Sequence, residues 1–212
     1  MEDVFDGYQR PSAPARPVVC LDEASKELHD LPRGSLPVEQ GQPLRQDDAY
    51  ERHGVANLFL MIEPLRGWRN GRVTERRTRC DFAAQVRLLS DEDDPQAERM
   101  VLVVDNVNTH GPGSLDEAVA PEAAHRLAAR FEWQYTPEHG RWRNIAECER
   151  SVLQRQCLDR PIPAMSTRKR DVSAWEERRH KACSKIIWHV TTADARIKLR
   201  RLYPVVKEQN LT

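Results

Sequence analysis

The segment Arg99-Met100-Val101-Leu102-Val103-Val104-Asp105-Asn106 constrains this 212-residue chain more than any other. An unbroken, largely β-branched apolar run has no polar alternation to turn toward water. It therefore reads as a strand buried on both faces, which needs layers above and below it. The run closes on an acid, and so does a second one. Pro17-Val18-Val19-Cys20-Leu21 ends in Asp22-Glu23 and reads as another buried strand.

Around these two strands the remaining pattern is that of a mixed α/β chain. Residues 54–63 and 71–75 read as strands joined by a turn at Gly67, that is, a hairpin. Asp81 to Leu89 sets Phe82, Val86 and Leu89 at helical spacing, and Ser114 to Arg130 is alanine-rich and helical, interrupted by Pro121. Phe131 to Thr136 alternates as a strand. Asn144 to Cys157 is a helix capped by Asn144, and Thr167 to Ile187 is a longer helix with Val172, Trp175, Arg179, Ala182 and Ile186 on one stripe. Thr192 to Leu202 makes a last short helix. Residues 24–53 lack a period and read as loop, and the proline-bearing residues 1–16 read as a linker. Early strands followed by alternation predict a mixed sheet with helices on its faces.

Composition narrows the function. No apolar run approaches the roughly 18 residues of a membrane span. The acidic N-terminus is not a secretory signal, and five cysteines without a CxxC pair fit a reducing cytoplasm. The formal net charge is zero, but it is unevenly spread. Residues 141–212 hold 17 Lys/Arg against 8 Asp/Glu, leaving 16 against 25 in residues 1–140. That asymmetry suits a polyanion-facing surface toward the C-terminus, and equally a set of helices with solvated basic faces.

The acids carry the chemistry. Asp22 and Asp105, each just past an apolar strand, would meet on one edge of an α/β sheet, where such sheets bind ligands. Taken singly, each also fits a residue that merely ends a strand. Glu147 lies three residues after Asn144, where it could close a capping box instead of serving a site. The preceding His139-Gly140-Arg141-Trp142-Arg143 is a basic, aromatic loop before a helix N-terminus, well made to meet phosphate, although Trp142 could equally plug a core. A pair of carboxylates about 4 Å apart repels by on the order of 4 kcal/mol at an effective dielectric near 20. Three in one site must therefore shed a charge or bind a cation. Magnesium suits oxygen-only sites, and two ions roughly 3.5–4 Å apart would serve both attacking and leaving oxygens of a phosphodiester.

The segments at 18–23, 101–110 (Val-Leu-Val-Val-Asp-Asn-Val-Asn-Thr-His) and 139–147 resemble the three catalytic motifs of bacterial insertion-sequence transposases of the mariner-like group. Arg52-His53-Gly54-Val55-Ala56-Asn57 and Thr191-Thr192-Ala193-Asp194-Ala195-Arg196 also match that group, so the resemblance runs from about residue 17 to 204. It implies an RNase H-like fold over 17–165, a basic helical extension over 166–212, and Asp22, Asp105 and Glu147 as the metal-binding catalytic acids. It implies Mg²⁺ or Mn²⁺, two ions, and cleavage and joining of double-stranded DNA at transposon ends and target, in the bacterial cytoplasm at the nucleoid. Asn106, His110 and Asn144 are the candidate supports of the metal shell, although Asn106 and His110 fit equally well as solvent-facing loop residues without such a role. Arg141, Trp142, Arg143, Arg168 and Arg170 are expected to meet DNA, and a second copy or a longer relative is the expected protein partner. Glu149 competes with Glu147 for the third position, and Asn-Ile-Ala-Glu at 144–147, close to the group's Asn-Pro-x-Glu, favours Glu147. His180 and Cys183, at i and i+3, lack a partner pair and read as an unliganded helix face. The group's usual N-terminal helix-turn-helix has no counterpart before residue 17, so the alternative expectation is a non-autonomous remnant that binds DNA or a longer relative. A nuclease unrelated to transposition is the third reading, and the 139–144 and 191–196 motifs weigh against it.

Overall fold

The computed structural model describes residues 2–32, 35–36, 40–41, 45–46, 49–106, 110–136, 144–198 and 200. The elements in chain order are α1 (Glu2–Gln9), β1 (Val18–Asp30), β2 (Ser35–Leu36), β3 (Arg45–Gln46), β4 (Glu51–Glu63), β5 (Trp68–Thr74), α2 (Arg79–Leu88), β6 (Met100–Asp105), α3 (Gly113–Ala118), α4 (Pro121–Arg130), β7 (Phe131–Thr136), α5 (Ile145–Leu153), α6 (Met165–Lys181) and α7 (Thr192–Lys198). Five strands form one sheet in the order β5-β4-β1-β6-β7. β4 runs antiparallel to β1 and β5, whereas β1, β6 and β7 are parallel. β2 and β3 form a separate short ladder. The expected mixed sheet flanked by helices is the one adopted.

β6 explains the layering. All six of its residues are buried. Successive side chains alternate between faces, so Met100, Leu102 and Val104 join Phe82, Val86, Leu115 and Leu127 from α2, α3 and α4. Val101 and Val103 point the other way, toward Ile145 and Ala146 of α5 and Val4 and Tyr8 of α1. Farther along that second face, Leu58, Leu60 and Val73 pack on Leu153 of α5 and on Val172 and Trp175 of α6. Helices thus cover both faces, as a parallel strand pair requires.

Four expectations need correction. Residues 24–30 are not loop: β1 continues through them, paired with β4 as far as Asp30 opposite Glu51. This extension is polar and partly exposed along much of its length, so it lacks the apolar alternation by which a strand is read. Residues 2–9 are not linker but helix α1, whose Val4, Phe5 and Tyr8 are buried. The long helix ends at Lys181 rather than near Ile187, because Cys183 takes a φ of 45°, outside helical space. Residues 166–181 are also less an extension than part of the body, since Arg168, Val172 and Trp175 are buried against it. α7 is set by a reciprocal cap in which Asp194 N donates to Thr191 Oγ1 at 3.1 Å and Thr191 N donates to the Asp194 carboxylate, also at 3.1 Å. It docks on α1 through Arg196 with Glu2 and Thr192 with Asp6.

Helix α6 comes close to the sheet at Gly71, where an added Cβ would stand 2.7 Å from Val172 Cγ1. Gly71→Ala should therefore destabilise the protein by about 1–3 kcal/mol through overpacking. Adding Val172→Ala should recover part of that loss. A urea-denaturation cycle of the two single variants and the double variant should show a favourable coupling on the order of 1 kcal/mol, and strict additivity would disprove the contact.

Candidate active site

Strand register brings the first two acids level. Cys20 pairs with Val103, the last pair of the β1–β6 ladder. Carrying that register two residues further sets Asp22 opposite Asp105. Asp22 is thus not the end of its strand, as the sequence suggests, but the point where β1 outruns its parallel neighbour. Alternation turns both acids to the α5 face, because Asp22 follows Cys20 and Asp105 follows Val101 and Val103.

α5 supplies the third acid. Asn144 caps it by accepting from Ala146 N at 3.1 Å. The same amide donates to Leu21 O at 2.7 Å and so fastens the helix start to β1 beside Asp22. Glu147 does not close a capping box; its Oε1 lies 3.5 Å from Arg150 Nη2 and its Oε2 is buried without a hydrogen-bond partner. Asp22, Glu23, Asp105, Asn144 and Glu147 line one cleft of about 220 Å³, together with Arg77 and Arg150. Glu149 is elsewhere. It is buried between Arg69, at 2.9 Å, and Arg179, whose Nε donates at 3.0 Å.

Each acid of the cleft has a cationic neighbour. Arg150 Nε donates to Asp22 Oδ2 at 2.5 Å. Arg77 lies 3.2 Å from Glu23. His110 is buried, bonds Asp105 through Nδ1, sets Nε2 3.4 Å from Glu23, and stacks on Phe82 at 4.7 Å. Burial alone would push the His110 pKa down, but the two carboxylates outweigh it and bring it to about 9. Burial raises the Asp22 pKa; Arg150 opposes this, and Asp105 and Glu147 add to it.

The other expected residues divide. Asn106 is exposed just past β6. Arg141, Trp142 and Arg143 lie outside the described residues. Arg170 is exposed on α6, beside Asp171 at 3.8 Å. Arg168 is not available to DNA: it is buried, and its guanidinium donates to Lys26 O at 3.1 Å and Glu27 O at 3.0 Å. Those carbonyls sit beside the irregularity at Leu28/His29, where the β1–β4 register shifts. His180 Nε2 accepts from Arg69 N at 3.1 Å. Arg150 was missed by sequence reasoning, though its i+3 spacing from Glu147 on a helix already put the two on one face.

The cleft's chemistry fits a hard divalent cation. Its anionic donors are all carboxylate oxygens, and the orphaned Glu147 Oε2 is a buried acceptor awaiting a positive partner. Among the described residues no three His, Cys, Asp or Glu side chains already stand as a group that could hold a metal ion. The side chains of Arg150 and His110 hold the acids instead.

Residues 17–168 match the family described as DDE superfamily endonuclease, and the chain belongs to that family. Among solved structures, the chain is similar to "Crystal structure of the Mos1 Strand Transfer Complex" at 13% identity and a TM-score of 0.38, covering 88% of this chain and 60% of that one. It is also similar to "Mos1 transposase paired-end complex with left transposon end" at 15% identity and a TM-score of 0.37, covering 88% and 61%. The chain thus spans about 60% of the length of these two. No curated protein matches it. Among the described residues no helix is long and apolar enough to cross a membrane.

The two glutamates of α5 should separate cleanly. Glu149→Ala strands Arg69 as a buried, uncompensated charge and should cost about 3–5 kcal/mol. Glu147→Ala removes one of several like charges from a partly open cleft and should change stability by less than about 1 kcal/mol. Urea denaturation of the two variants checks this, and equal losses would mean that Glu147 is a structural residue.

Proposed function

We propose that this chain is the catalytic core of a transposase, a metal-dependent DNA endonuclease and strand transferase of the bacterial insertion-sequence type, working on DNA in the cytoplasm. The observation that carries this reading is the convergence of Asp22, Asp105 and Glu147 on one cleft, with an oxygen of Glu147 buried and unpartnered. In this reading those three residues would hold Mg²⁺ or Mn²⁺, two ions, and the chemistry so supplied would be charge neutralisation at a phosphodiester and activation of a water or 3′-OH.

The chain's own residues prepare the site. Asn144 fixes the start of α5 on β1, so Glu147 faces Asp22 rather than solvent. His110 holds Asp105 from behind, fixing which oxygen faces the cleft. Arg170, exposed on α6, and the loop arginines Arg141 and Arg143 are the proposed phosphate contacts, and a second copy or a longer relative the proposed partner.

Asp105→Asn keeps shape and removes charge. It should abolish Mg²⁺-dependent nicking of supercoiled plasmid, a loss of at least about 100-fold, while DNA binding stays within about twofold. Undiminished nicking would overturn the assignment. A wild-type chain that binds DNA yet never nicks it with Mg²⁺ or Mn²⁺ would support a DNA-binding remnant instead.

Binding should be weak and salt-dependent, with little sequence preference. Arg170→Ala should reduce the slope of log affinity against log salt by about 0.9, the value of one phosphate contact. Arg168→Ala should leave that slope unchanged and lower stability instead. Titrations at two salt concentrations distinguish these outcomes.

A further inference from the structure

Arg150 is placed where a transposase metal would have to act. It follows Glu147 by three residues on α5, and its guanidinium reaches Asp22 Oδ2 at 2.5 Å and Glu147 Oε1 at 3.5 Å. It therefore joins the acid of β1 to the acid of α5. It does not complete Glu147, whose Oε2 remains without a partner. The cleft further contains Asp105 and Glu23, the latter beside Arg77.

The side chain has somewhere else to go. Arg150 is a shared wall between the acid cleft and a second cavity of about 70 Å³ lined by Ala24, Ser25, Gln154 and Leu158 among others. Its side chain is about one-third exposed, so leaving Asp22 does not unpack a core.

We propose that Arg150 is a resident stand-in for the metal, pairing Asp22 with Glu147 until a divalent cation displaces its guanidinium toward the adjoining cavity. Metal loading of this chain is then a cation exchange rather than the filling of a bare acidic site. The proposal rests on the metal reading of Asp22, Asp105 and Glu147. Physically, Arg150 relieves the carboxylate repulsion that would otherwise splay β1 from α5. A divalent ion wins because it carries twice the charge and can also serve the oxygen that Arg150 leaves orphaned. Arg150 is thus a positioning residue, and its charge works against metal affinity.

The test is Mn²⁺ binding to the full chain by calorimetry, with thermal melts alongside, for wild type, Arg150→Ala, Arg150→Gln, Arg150→Lys and Asp105→Asn. Losing a charge-assisted hydrogen bond that competes with the ion should tighten Mn²⁺ binding about ten- to a hundredfold in Arg150→Ala and Arg150→Gln. Arg150→Lys, which keeps the charge, should stay near wild type. Without metal, the Ala and Gln variants should melt below wild type, and Mn²⁺ should raise their melting temperatures more than it raises the wild type's. A merely structural arginine would not give tighter metal binding on removal. If Arg150→Ala and Arg150→Gln bind Mn²⁺ no more tightly than wild type while Asp105→Asn abolishes binding, the stand-in role is overturned and the metal site survives. If neither wild type nor any Arg150 variant binds Mn²⁺, the metal reading falls and the stand-in falls with it. Should the Ala variant not fold, the Gln and Lys pair carries the same comparison.

Discussion

The fully buried pair of Glu149 and Arg69, with the partly exposed Arg179 beside it, sets the rotation of α5 about its own axis, and the cleft depends on that rotation. A helix advances about 100° per residue, so committing one glutamate inward determines where its neighbours point. With Glu149 pinned at 2.9 Å from Arg69, Glu147 and Arg150 must turn toward β1. Buried ion pairs are weak sources of net stability, because desolvation consumes most of the Coulombic gain. Their value here is orientation. Arg69 is further bound by the carbonyls of Gly67 at 2.9 Å and Ser184 at 2.5 Å, so the anchor for α5 is itself held by the β4–β5 turn and the segment after α6. A surface-exposed pair could not impose the same rotation, since water would compete for each member.

A second constraint acts along the helix axis. Asn144 uses both ends of one amide, accepting from the helix and donating to Leu21 O. Axial position and rotation are thereby set by different residues, and the remaining freedom of Glu147 is its own side-chain torsions. Between fixed backbones, carboxylates facing one another raise the free energy of the folded state unless cations intervene. Arg150, Arg77 and His110 intervene, each from a different stretch of chain. The cleft is therefore held near electrostatic balance, which lets the sheet keep Asp22 and Asp105 side by side at all.

What could be read from sequence follows this division. β6, β7 and the β4–β5 hairpin announce themselves through apolar runs and a glycine turn, because burial on a sheet leaves a period in the residues. Asp105 and Glu147 were legible as acids at element boundaries. The outer half of β1 was not, since Ser25, Lys26 and Glu27 reveal nothing of their pairing with β4. Helix α1 was hidden because its buried Val4, Phe5 and Tyr8 fall within a short acidic segment next to prolines. Arg168 was misread for a related reason: an arginine that ends on backbone carbonyls looks, in sequence, like one that ends on phosphate. The i+3 relation of Glu147 and Arg150 was available, but choosing between surface salt bridge and site residue needs to know that Asp22 lies across the gap.

The same residues limit how the basic excess of residues 141–212 can act. Arg150 is held by Asp22, Arg168 by carbonyls of β1, and Arg179 by Glu149. Arg160 pairs with Asp171, and Arg196 with Glu2. Two of these acids, Asp22 and Glu2, come from the first 140 residues, so part of the charge asymmetry along the sequence is cancelled in space by folding. Net charge by segment thus overstates the field that a polyanion would meet, which acts through exposed and weakly paired cations such as Arg170 and is screened within about 10 Å at 0.1 M salt. A polyanion would be drawn to those cations rather than to the near-balanced acid cleft. The acid and the exposed arginine thus sit on separate members of one helical layer, Glu147 on α5 and Arg170 on α6, and the ion pair of the buried Glu149 with the partly exposed Arg179 joins the two helices.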